Sequence, residues 1–409
     1  MIYKKIKVCR SCKKKNLVSL FSLGNLYFTG IFPKNTKCDI PKGPLNLIFC
    51  KFCNLVQLDR NFNLKIMYGN NYGYRSSLNS SMINHLRNKF FFLKKIVKLK
   101  KNNTVIDIGS NDGTFLSFFN KECNLIGVDP TIKKFKKYYR NDIKKIPYFF
   151  SYNNLKKKLK GKKAKLITSI SMLYDLEDTT KFAKDVYDRL DKDGIWHFEQ
   201  SYLPKMLESM SFDSICHEHL EYYSLKSILY ILNEANLKII NIKENNINGG
   251  SIAITVAKRC SSFKEKSKQI KTYLEYENKK KIFNVETYKK FFKKIESFKI
   301  ELNKLIKKII NKKKIIIGYG ASTKGNVLLQ YCGLNNNKIK FIAEVNKDKY
   351  NKYTPGSKIK IISEKSLKKL NFDYLLFLPW HYKNYFLKKR IMNIKKIKCI
   401  FPLPKIEIV

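Results

Sequence analysis

Thr104-Val105-Ile106-Asp107-Ile108-Gly109-Ser110-Asn111-Asp112-Gly113-Thr114-Phe115-Leu116 is the stretch that decides the fold. It begins with a short apolar run rich in β-branched residues, which predicts a buried parallel strand. Gly109 then allows the backbone to turn and to approach a ligand closely. The residues from Gly113 onward predict the start of a helix. Because α/β sheets bind ligands where a helix begins at the carboxyl end of a strand, the stretch predicts a ligand site in an α/β domain.

A second strand indicates what kind of ligand binds there. Residues 125–128 form a short apolar run that ends in Asp129. An acid in this position can accept both ribose hydroxyls of an adenosine cofactor, as in dinucleotide folds. The pattern G-x-G-x-x-G is absent and no Gly-Lys-Ser/Thr follows the turn, so neither a dinucleotide fingerprint nor a phosphate loop is predicted.

The turn and the acid, at this spacing, closely resemble the first two motifs of class I methyltransferases, whereas either alone would fit an ordinary βαβ unit. Further strands are predicted over residues 164–172 and 194–200, with a helix over 182–190 between them. The resemblance implies S-adenosylmethionine as cofactor. Its predicted contacts are Asp107, Gly109, Ser110, Asn111, Gly113, Asp129, Ser171 and Met172.

Two Cys-x2-Cys pairs near the N-terminus predict a metal centre: Cys9 with Cys12, and Cys50 with Cys53. Each pair can present two thiolates on a tight turn, and two such turns complete a tetrahedron around zinc. A redox dithiol is the competing interpretation, but it needs only one pair. Four protein ligands leave no open coordination position, so we interpret the zinc as structural, holding together a segment too small to build a core.

The composition of the 409-residue chain predicts a cytoplasmic enzyme of two or three domains. It contains no run of eighteen apolar residues and no signal-peptide pattern, and its ten cysteines argue against a disulfide framework. The formal net charge of +51 invites a nucleic-acid interpretation. Because the lysines are scattered through every segment, we instead predict a solvated surface, no specific nucleic-acid partner, and attraction of anionic substrates.

Further segments resemble the deoxysugar C-methyltransferases over nearly the whole chain. They are Tyr-Gly-Tyr-Arg-Ser-Ser (72–77), Phe-Asp-Ser-Ile-Cys-His-Glu-His-Leu-Glu-Tyr-Tyr-Ser (212–224), Asn-Gly-Gly-Ser (248–251), Gly-Tyr-Gly-Ala-Ser-Thr-Lys-Gly-Asn (318–326) and Leu-Pro-Trp-His-Tyr (378–382). The resemblance implies a zinc-binding domain (1–65), a Rossmann-like methyltransferase domain (66–260) and a second Rossmann-like, substrate-binding domain (261–409). It also implies methylation of a carbon next to a ketone on a nucleotide-linked sugar.

Methylation at carbon requires a base, because a proton must leave a carbon next to a carbonyl and the enolate must be stabilised. A neutral histidine suits this task, and the chain has five. In the family, the histidine of a Glu-His pair is the base, which assigns the role to His219. Glu218 would orient an imidazole or touch the substrate, and Tyr222 would contact the sugar or stabilise the enolate.

The His-Glu-His segment allows other interpretations. His217 and His219, two residues apart, are expected to share one face of a strand. A second zinc site is one rival, although no third ligand and no His-Glu-x-x-His motif is present. A pair of hydrogen-bonded interdomain histidines is the other, and for His217 alone a structural role is favoured.

Substrate contacts are expected on both sides of a cleft between the larger domains. Residues 72–76 approach cofactor and sugar in the family, although a loop capping a helix over 80–97 also fits. Asn248, on a turn that could equally be a plain hairpin, would hydrogen-bond the enolate oxygen. A helix after the C-terminal glycine turn would offer backbone N–H groups to a pyrophosphate, and NAD is not predicted because Thr323 replaces the third glycine. The full set is Tyr72, Tyr74, Ser76, Asn248, Gly320, Lys324, Glu344 and His381.

The sequence therefore predicts a monomeric S-adenosylmethionine-dependent methyltransferase acting on a nucleotide-diphosphate sugar. Two alternatives stay open: an RNA-modifying methyltransferase, suggested by zinc and basic charge, and a non-catalytic relative that binds nucleotide sugars. Glu344 and His381 would meet the nucleoside, although each could equally be an ordinary core or surface residue.

Overall fold

The computed structural model describes residues 2–68, 72–151, 161–388 and 397–409. The N-terminal part has a two-stranded pair, Tyr3–Lys5 with Arg60–Phe62, and a four-stranded sheet. The order of that sheet is Glu221–Tyr222, Val56–Leu58, Lys42–Cys50 and Leu17–Tyr27. Its first strand comes from much later in the chain and pairs antiparallel with Val56–Leu58.

The middle of the chain forms a seven-stranded sheet. Its order is Leu237–Asn245, Ser251–Lys258, Leu190–Ser201, Ala164–Ile170, Thr104–Ile108, Asn124–Val128 and Lys144–Ile146. The five strands from Leu190–Ser201 onward run parallel, and Ser251–Lys258 is antiparallel to both of its neighbours. Numbered along the domain, the strands lie in the order 6-7-5-4-1-2-3, so the chain reverses direction beside Thr104–Ile108. A ligand site is therefore expected at the carboxyl end of that strand.

Helices cover both faces of this sheet. Phe182 and Val186 of the helix Thr179–Arg189, with residues of Leu225–Glu234, pack on one face against Ile106 and Trp196. The helix Ser80–Ile96, called the cover helix below, lies on the other face and packs Leu86 and Leu93 against Val105. Shorter helices are Leu64–Met67, Ile132–Phe135 and Leu203–Glu208.

The prediction of a helix after Gly113 is wrong. The structure has only a single 3-10 turn there, Leu116–Phe118. Phe115 and Phe119 turn into the core under the cover helix, where the ring centroids of Phe90 and Phe119 are 4.9 Å apart. Packing of aromatic side chains has overridden the local helical tendency.

The C-terminal part forms a six-stranded sheet in the order Ile361–Ser363, Ile342–Glu344, Ile316–Tyr319, Tyr374–Phe377, Lys398–Phe401 and Glu407–Ile408. The first five strands are parallel. Two helices, Ser267–Lys279 and Val285–Asn311, precede it. The helix Thr323–Tyr331 follows its first strand, and Lys383–Lys388 lies near the end of the chain.

One hydrophobic core joins the N-terminal and C-terminal parts. It contains Phe28 and Leu47 from the first, and Val327 and Leu328 from the second. Gln330 exchanges two hydrogen bonds with the backbone of Tyr27, at 2.7 and 3.2 Å. None of the helices in the described ranges is both long and apolar enough to cross a membrane.

Candidate active site and zinc centre

The N-terminal cysteine pairs form one cluster. The Sγ atoms of Cys9, Cys12, Cys50 and Cys53 all lie within 4.8 Å of one another. The Cys9–Cys53 and Cys12–Cys50 separations are both 3.5 Å. Zn–S bonds of ~2.3 Å place tetrahedral sulfurs ~3.8 Å apart, so the cluster fits a zinc ion held by four thiolates.

Local backbone geometry aims these thiolates inward. The N–H groups of Lys13 and Asn54 donate to the carbonyls of Cys9 and Cys50 at 3.0 and 2.9 Å. Lys13 and Asn54 both have a φ of 61°, which closes the two turns. Gln57 Nε2 donates to Cys9 Sγ at 3.1 Å, a second contact that orients the ligand.

The turn from Gly109 to Gly113, called the cofactor turn below, requires glycine at both ends. Gly109 has a φ of 77° and Gly113 a φ of 78°. A Cβ on Gly109 would lie 2.9 Å from Met172 Cγ, and one on Gly113 would lie 2.7 Å from the ring of Tyr139. The backbone is therefore wrapped closely by side chains, including the predicted cofactor residue Met172. The neighbouring hydroxyls of Ser110 and Tyr139 are 2.7 Å apart.

Asp129 supports this turn from the adjacent strand. Its Oδ2 accepts the N–H of Asn111 at 2.9 Å. Its Oδ1 accepts from the N–H and the hydroxyl of Thr131 at 2.7 and 2.6 Å. A carboxylate has about four acceptor directions, so capacity remains for a ribose hydroxyl. Burial raises the pKa of Asp129.

Further acids surround the cofactor turn. Asp107 is buried, accepts from Thr168 Oγ1 at 2.6 Å, and has its pKa raised by burial to about 7. Asp112 accepts the N–H of Ser77 at 3.0 Å. Acidic surroundings suit a ligand with a positive sulfonium and ammonium, and the residues present therefore fit S-adenosylmethionine.

Residues 72–77 lie against the cofactor turn. Ser76 donates its N–H to Asn111 Oδ1 at 2.9 Å, and Asn111 Nδ2 donates to the Tyr74 carbonyl at 3.2 Å. The carbonyl of Tyr72 accepts from Lys134 Nζ at 2.8 Å. The contacts use backbone atoms, and the Tyr74 ring is exposed.

The end of the strand Ala164–Ile170 connects the cofactor turn to the proposed base. Ser171 has a φ of 56° and donates its N–H to the Glu199 carbonyl at 2.7 Å. Tyr174 follows, and its ring centroid is 4.1 Å from that of His219. The carbonyl of Tyr174 accepts the N–H of Leu220 at 2.7 Å. The predicted base is therefore attached to the cofactor side of the molecule.

The segment 212–224, called the base loop below, is not a strand at His217 and His219. The expectation that these histidines share one strand face is wrong, because residues 217–218 form a turn that separates the rings. His217 points into the N-terminal part, where its Nε2 is 3.0 Å from the Gly43 carbonyl. Its ring packs 4.6 Å from that of Phe28 and 4.8 Å from that of Phe62. Desolvation lowers the pKa of His217 to about 4.

His219 has the geometry of a neutral base. Its Nδ1 lies 2.9 Å from the Ser214 carbonyl, which can only accept, so Nδ1 carries the proton and Nε2 carries the lone pair. The side chain lines a small cavity with Tyr174, Ser201 and Met206. Burial, reinforced by the charge of Lys324, lowers the pKa of His219 to about 4, so the imidazole is neutral at pH 7.

Glu218 and Tyr222, the acidic and the phenolic neighbour of His219, both have hydrogen-bond partners. Thr29 donates its hydroxyl to Glu218 Oε2 at 3.3 Å, and burial raises the pKa of Glu218. Tyr222 donates its hydroxyl to the His219 carbonyl at 3.0 Å. Tyr222 also belongs to the strand that pairs with Val56–Leu58. The zinc-binding part of the chain thus supports the backbone that carries His219.

The turn from Gly320 to Lys324, called the C-terminal turn below, repeats the geometry of the cofactor turn. Gly320 has a φ of 86°, and a Cβ there would lie 2.7 Å from Pro379. Glu344, at the end of the next strand, accepts the N–H of Ala321 at 2.8 Å. Ser322 caps the following helix by accepting from the N–H of Gly325 at 3.0 Å.

Lys324 and Asn248 meet where the two larger domains face each other. Lys324 Nζ donates to the Asn248 carbonyl at 2.6 Å. Asn248 lies on a turn with a φ of 56°. Burial lowers the pKa of Lys324. Burial and, to a lesser extent, the charge of Lys324 lower the pKa of both His219 and His381. A basic group from the C-terminal domain therefore lies near the proposed base.

Several participants were not singled out from the sequence. Trp380 Nε1 donates to Asp213 Oδ2 at 2.8 Å and so joins the C-terminal domain to the base loop. Both residues lie in quoted motifs, so a signal existed. Tyr174 lies in no quoted motif, and only its position after a parallel strand could have indicated it. His381 follows Trp380, and its buried Nδ1 has no hydrogen-bond partner among the described residues.

Comparison with known families assigns three consecutive regions. Residues 9–68 match the family model described as "Putative zinc binding domain", 79–242 match "Methyltransferase domain", and 246–404 match "C-methyltransferase C-terminal domain". C-methyltransferase NovU of Streptomyces niveus is 27% identical over 385 residues, which cover 93% of this chain and 91% of NovU.

Solved structures also resemble part of the chain. A S-adenosylmethionine-dependent methyltransferase from Clostridium acetobutylicum covers 42% of this chain and 91% of its own, at 14% identity and a TM-score of 0.34. YcgJ of Bacillus subtilis covers 42% of this chain and 98% of its own, at 14% identity and a TM-score of 0.34.

The sheet order, the cofactor turn and the methyltransferase match together define a class I S-adenosylmethionine-dependent methyltransferase. The cysteine cluster adds a zinc-binding domain to it. The three family models match in this order along the chain, and C-methyltransferase NovU is similar to it over most of its length.

Proposed function

We propose that the acceptor is a keto sugar linked to a nucleoside diphosphate, and that the methyl group goes to the carbon next to its ketone. The observation that carries this is the neutral imidazole of His219, placed between the cofactor side and Lys324 of the C-terminal domain. In this proposal, residues 1–65 bind zinc, residues 66–260 bind the methyl donor and residues 261–409 bind the nucleotide sugar.

His219 Nε2 takes the proton from the sugar carbon. The electron pair of the broken C–H bond moves into the enolate, whose oxygen gains negative charge. The Nδ1–H bond to the Ser214 carbonyl keeps the ring oriented and helps to carry the imidazolium charge that forms. When bound, S-adenosylmethionine supplies an electrophilic methyl group.

Other residues position the sugar and its nucleotide. Lys324 lies close enough to neutralise the enolate or the diphosphate, and the side-chain amide of Asn248 is a donor at the same place. Glu218, fixed by Thr29, is proposed to bind a sugar hydroxyl. Tyr222 has its hydroxyl occupied by the His219 carbonyl, so we assign it a positioning role.

The C-terminal turn is the proposed diphosphate site, with Gly320 giving backbone access and the start of the helix Thr323–Tyr331 giving N–H donors. Glu344 and His381 are proposed to lie near the nucleoside. Tyr72, Tyr74 and Ser76 are proposed to contact the sugar from the cofactor side. Ser171 and Met172 are proposed to hold the cofactor with the residues of the cofactor turn and with Asp129.

The test is incubation with methyl-labelled S-adenosylmethionine and a panel of nucleotide 4-ketosugars, with products read by mass spectrometry and NMR. The expected product gains one methyl group on a carbon next to the ketone. Parallel reactions with total RNA over a range of salt concentrations provide the control. Label in RNA with none in any sugar would overturn the proposal.

A further inference from the structure

The cover helix presents two unlike faces to the sheet. On one face, Leu86 and Leu93 join Val105 in an apolar core. On another face, His85 and Lys89 line a cavity of about 180 Å³. A single water needs only ~10–15 Å³, so the space is large enough for a small molecule.

The opposite wall of this cavity is also polar. His197 comes from the strand Leu190–Ser201, and Asn241, Lys243 and Asn245 come from the edge strand Leu237–Asn245. A surface between a helix and a sheet is normally apolar, because buried polar groups cost free energy unless they are bonded. Phe92 and Ala253 add apolar surface to the cavity, and the polar groups that face it from both sides indicate a site rather than a packing defect.

Glu199 binds some of these polar side chains. Its carboxylate, fully buried, accepts from His85 Nε2 at 2.6 Å and from Asn245 Nδ2 at 2.8 Å, and it pairs with Lys89. The negative charge of Glu199 is thus matched by Lys89. Lys243 stands at the rim, exposed, and adds a second ammonium to the same cavity.

His197 retains an unused nitrogen. Its Nδ1 is 2.9 Å from Thr255 Oγ1, and its side chain is 1% exposed. Its Nε2 is buried and has no hydrogen-bond partner within the described ranges. When the Thr255 hydroxyl donates to Nδ1, Nε2 carries a hydrogen and is a buried donor on a residue that lines the cavity.

We propose that this cavity binds a small oxyanion of the phosphate class. Lys243 supplies the charge, because Lys89 is paired with Glu199, and the Nε2–H of His197 and the amide of Asn241 supply neutral donors. The site is separate from the cavity at His219, with which it shares no lining residue. It adjoins the cofactor site, because the Glu199 carbonyl accepts the N–H of Ser171 at 2.7 Å.

The test is a titration of the ¹⁵N-labelled full-length protein with inorganic phosphate, without cofactor or sugar, at an ionic strength held constant with NaCl. The ring nitrogens of His197 are expected to shift with a saturable dependence on phosphate. Lys243→Gln is expected to weaken binding about tenfold, the usual effect of losing one charge-assisted hydrogen bond. Because Lys243 is exposed, this variant should keep its fold.

Lys264→Gln is the matched control, since Lys264 is also exposed, lies outside the cavity and carries the same charge. It is expected to bind phosphate as the unmodified protein does. A shift that does not saturate, or equal binding by both lysine variants, would overturn the proposal. The outcome is independent of which sugar is methylated, because no sugar is present.

Discussion

The cofactor turn and the C-terminal turn share one backbone design and differ in charge. Each has a glycine with positive φ at the end of a parallel strand, and an acid from the next strand that accepts a backbone N–H of the turn. Around the first turn lie Asp107 and Asp112, whereas Lys324 and Lys349 lie around the second. Similar backbones can therefore suit a cationic methyl donor on one side and an anionic diphosphate on the other, because side-chain charge determines the ligand.

The largest effect is expected on removal of the proposed base, which lies in neither of the two turns. His219→Ala should lower methyl transfer by about 10²–10⁴-fold, the usual contribution of a positioned base. Binding of S-adenosylhomocysteine and of the nucleotide sugar, measured by calorimetry, should stay within twofold of the unmodified protein. Full methyl transfer by this variant would remove His219 from the mechanism.

Replacing the glycine of each turn by alanine should weaken the binding of a different ligand in each case. Gly109→Ala places a Cβ 2.9 Å from Met172, and Gly320→Ala places one 2.7 Å from Pro379, each at a positive φ. Strain of ~1–3 kcal/mol should weaken binding of the local ligand by about tenfold or more. Calorimetry should show Gly109→Ala losing cofactor affinity alone and Gly320→Ala losing nucleotide affinity alone. Loss of affinity for both ligands in both variants would contradict the assignment of one ligand to each turn.

Neutralising the basic side should affect substrate more than cofactor. Lys324→Gln should raise the KM for the nucleotide sugar by about tenfold, because a charge-assisted contact is worth ~1.5–3 kcal/mol. Lys347→Gln, an exposed lysine of the same domain, is the matched control. Steady-state kinetics with each substrate varied in turn would distinguish them, and an unchanged KM in the first variant would place the diphosphate elsewhere.

The pH dependence reports the electrostatic link between the C-terminal turn and the base. His219 must be neutral to act, and its pKa lies at about 4. kcat/KM should therefore stay level as the pH falls through 6.5 and decline only as it approaches about 4. In Lys324→Gln this decline should move to higher pH, because the lysine charge is one cause of the low pKa. An acid limb at 6.5 in the unmodified protein would contradict the buried, neutral imidazole.

The buried histidines His217 and His219 also limit the stability of the fold in acid. A folded-state pKa below the ordinary 6.5 means that the unfolded chain binds protons first. Stability is thus present above pH 6.5 and is lost as the pH falls from 6.5 toward about 4. The buried His217, with its pKa at about 4, follows this rule on the N-terminal side.

The smallest effect is expected at the helix after the C-terminal turn, because the cofactor turn is followed by a 3-10 turn instead. Ser322→Ala removes the cap of Thr323–Tyr331 and should lower the free energy of unfolding by about 1 kcal/mol. Ser117→Ala, within the 3-10 turn Leu116–Phe118 that follows the cofactor turn, removes only an exposed hydrogen bond to the Thr114 carbonyl and should change it by less than about 0.5 kcal/mol. Urea unfolding of both variants provides the measurement, and equal losses would mean that the cap contributes nothing specific.

The sequence predicted those parts of the molecule that depend on neighbouring residues. Alternating strands and turns, the cysteine pairs and the acid after the second strand of the methyltransferase domain are all local patterns. The missing helix after Gly113 was not predictable, because the position of Phe119 depends on Phe90 of the cover helix. The separation of His217 from His219 likewise depends on the carbonyl of Gly43, far away in the sequence, and on that of Ser214 within the base loop.

The pairing of Val56–Leu58 with Glu221–Tyr222 has a consequence for the order of assembly. The first of these strands follows the second cysteine pair, so metal loading prepares the edge on which the base loop later pairs. A chain synthesised without zinc should keep its cofactor turn but lack a fixed base. Metal supply would then determine whether a bound methyl donor can be used.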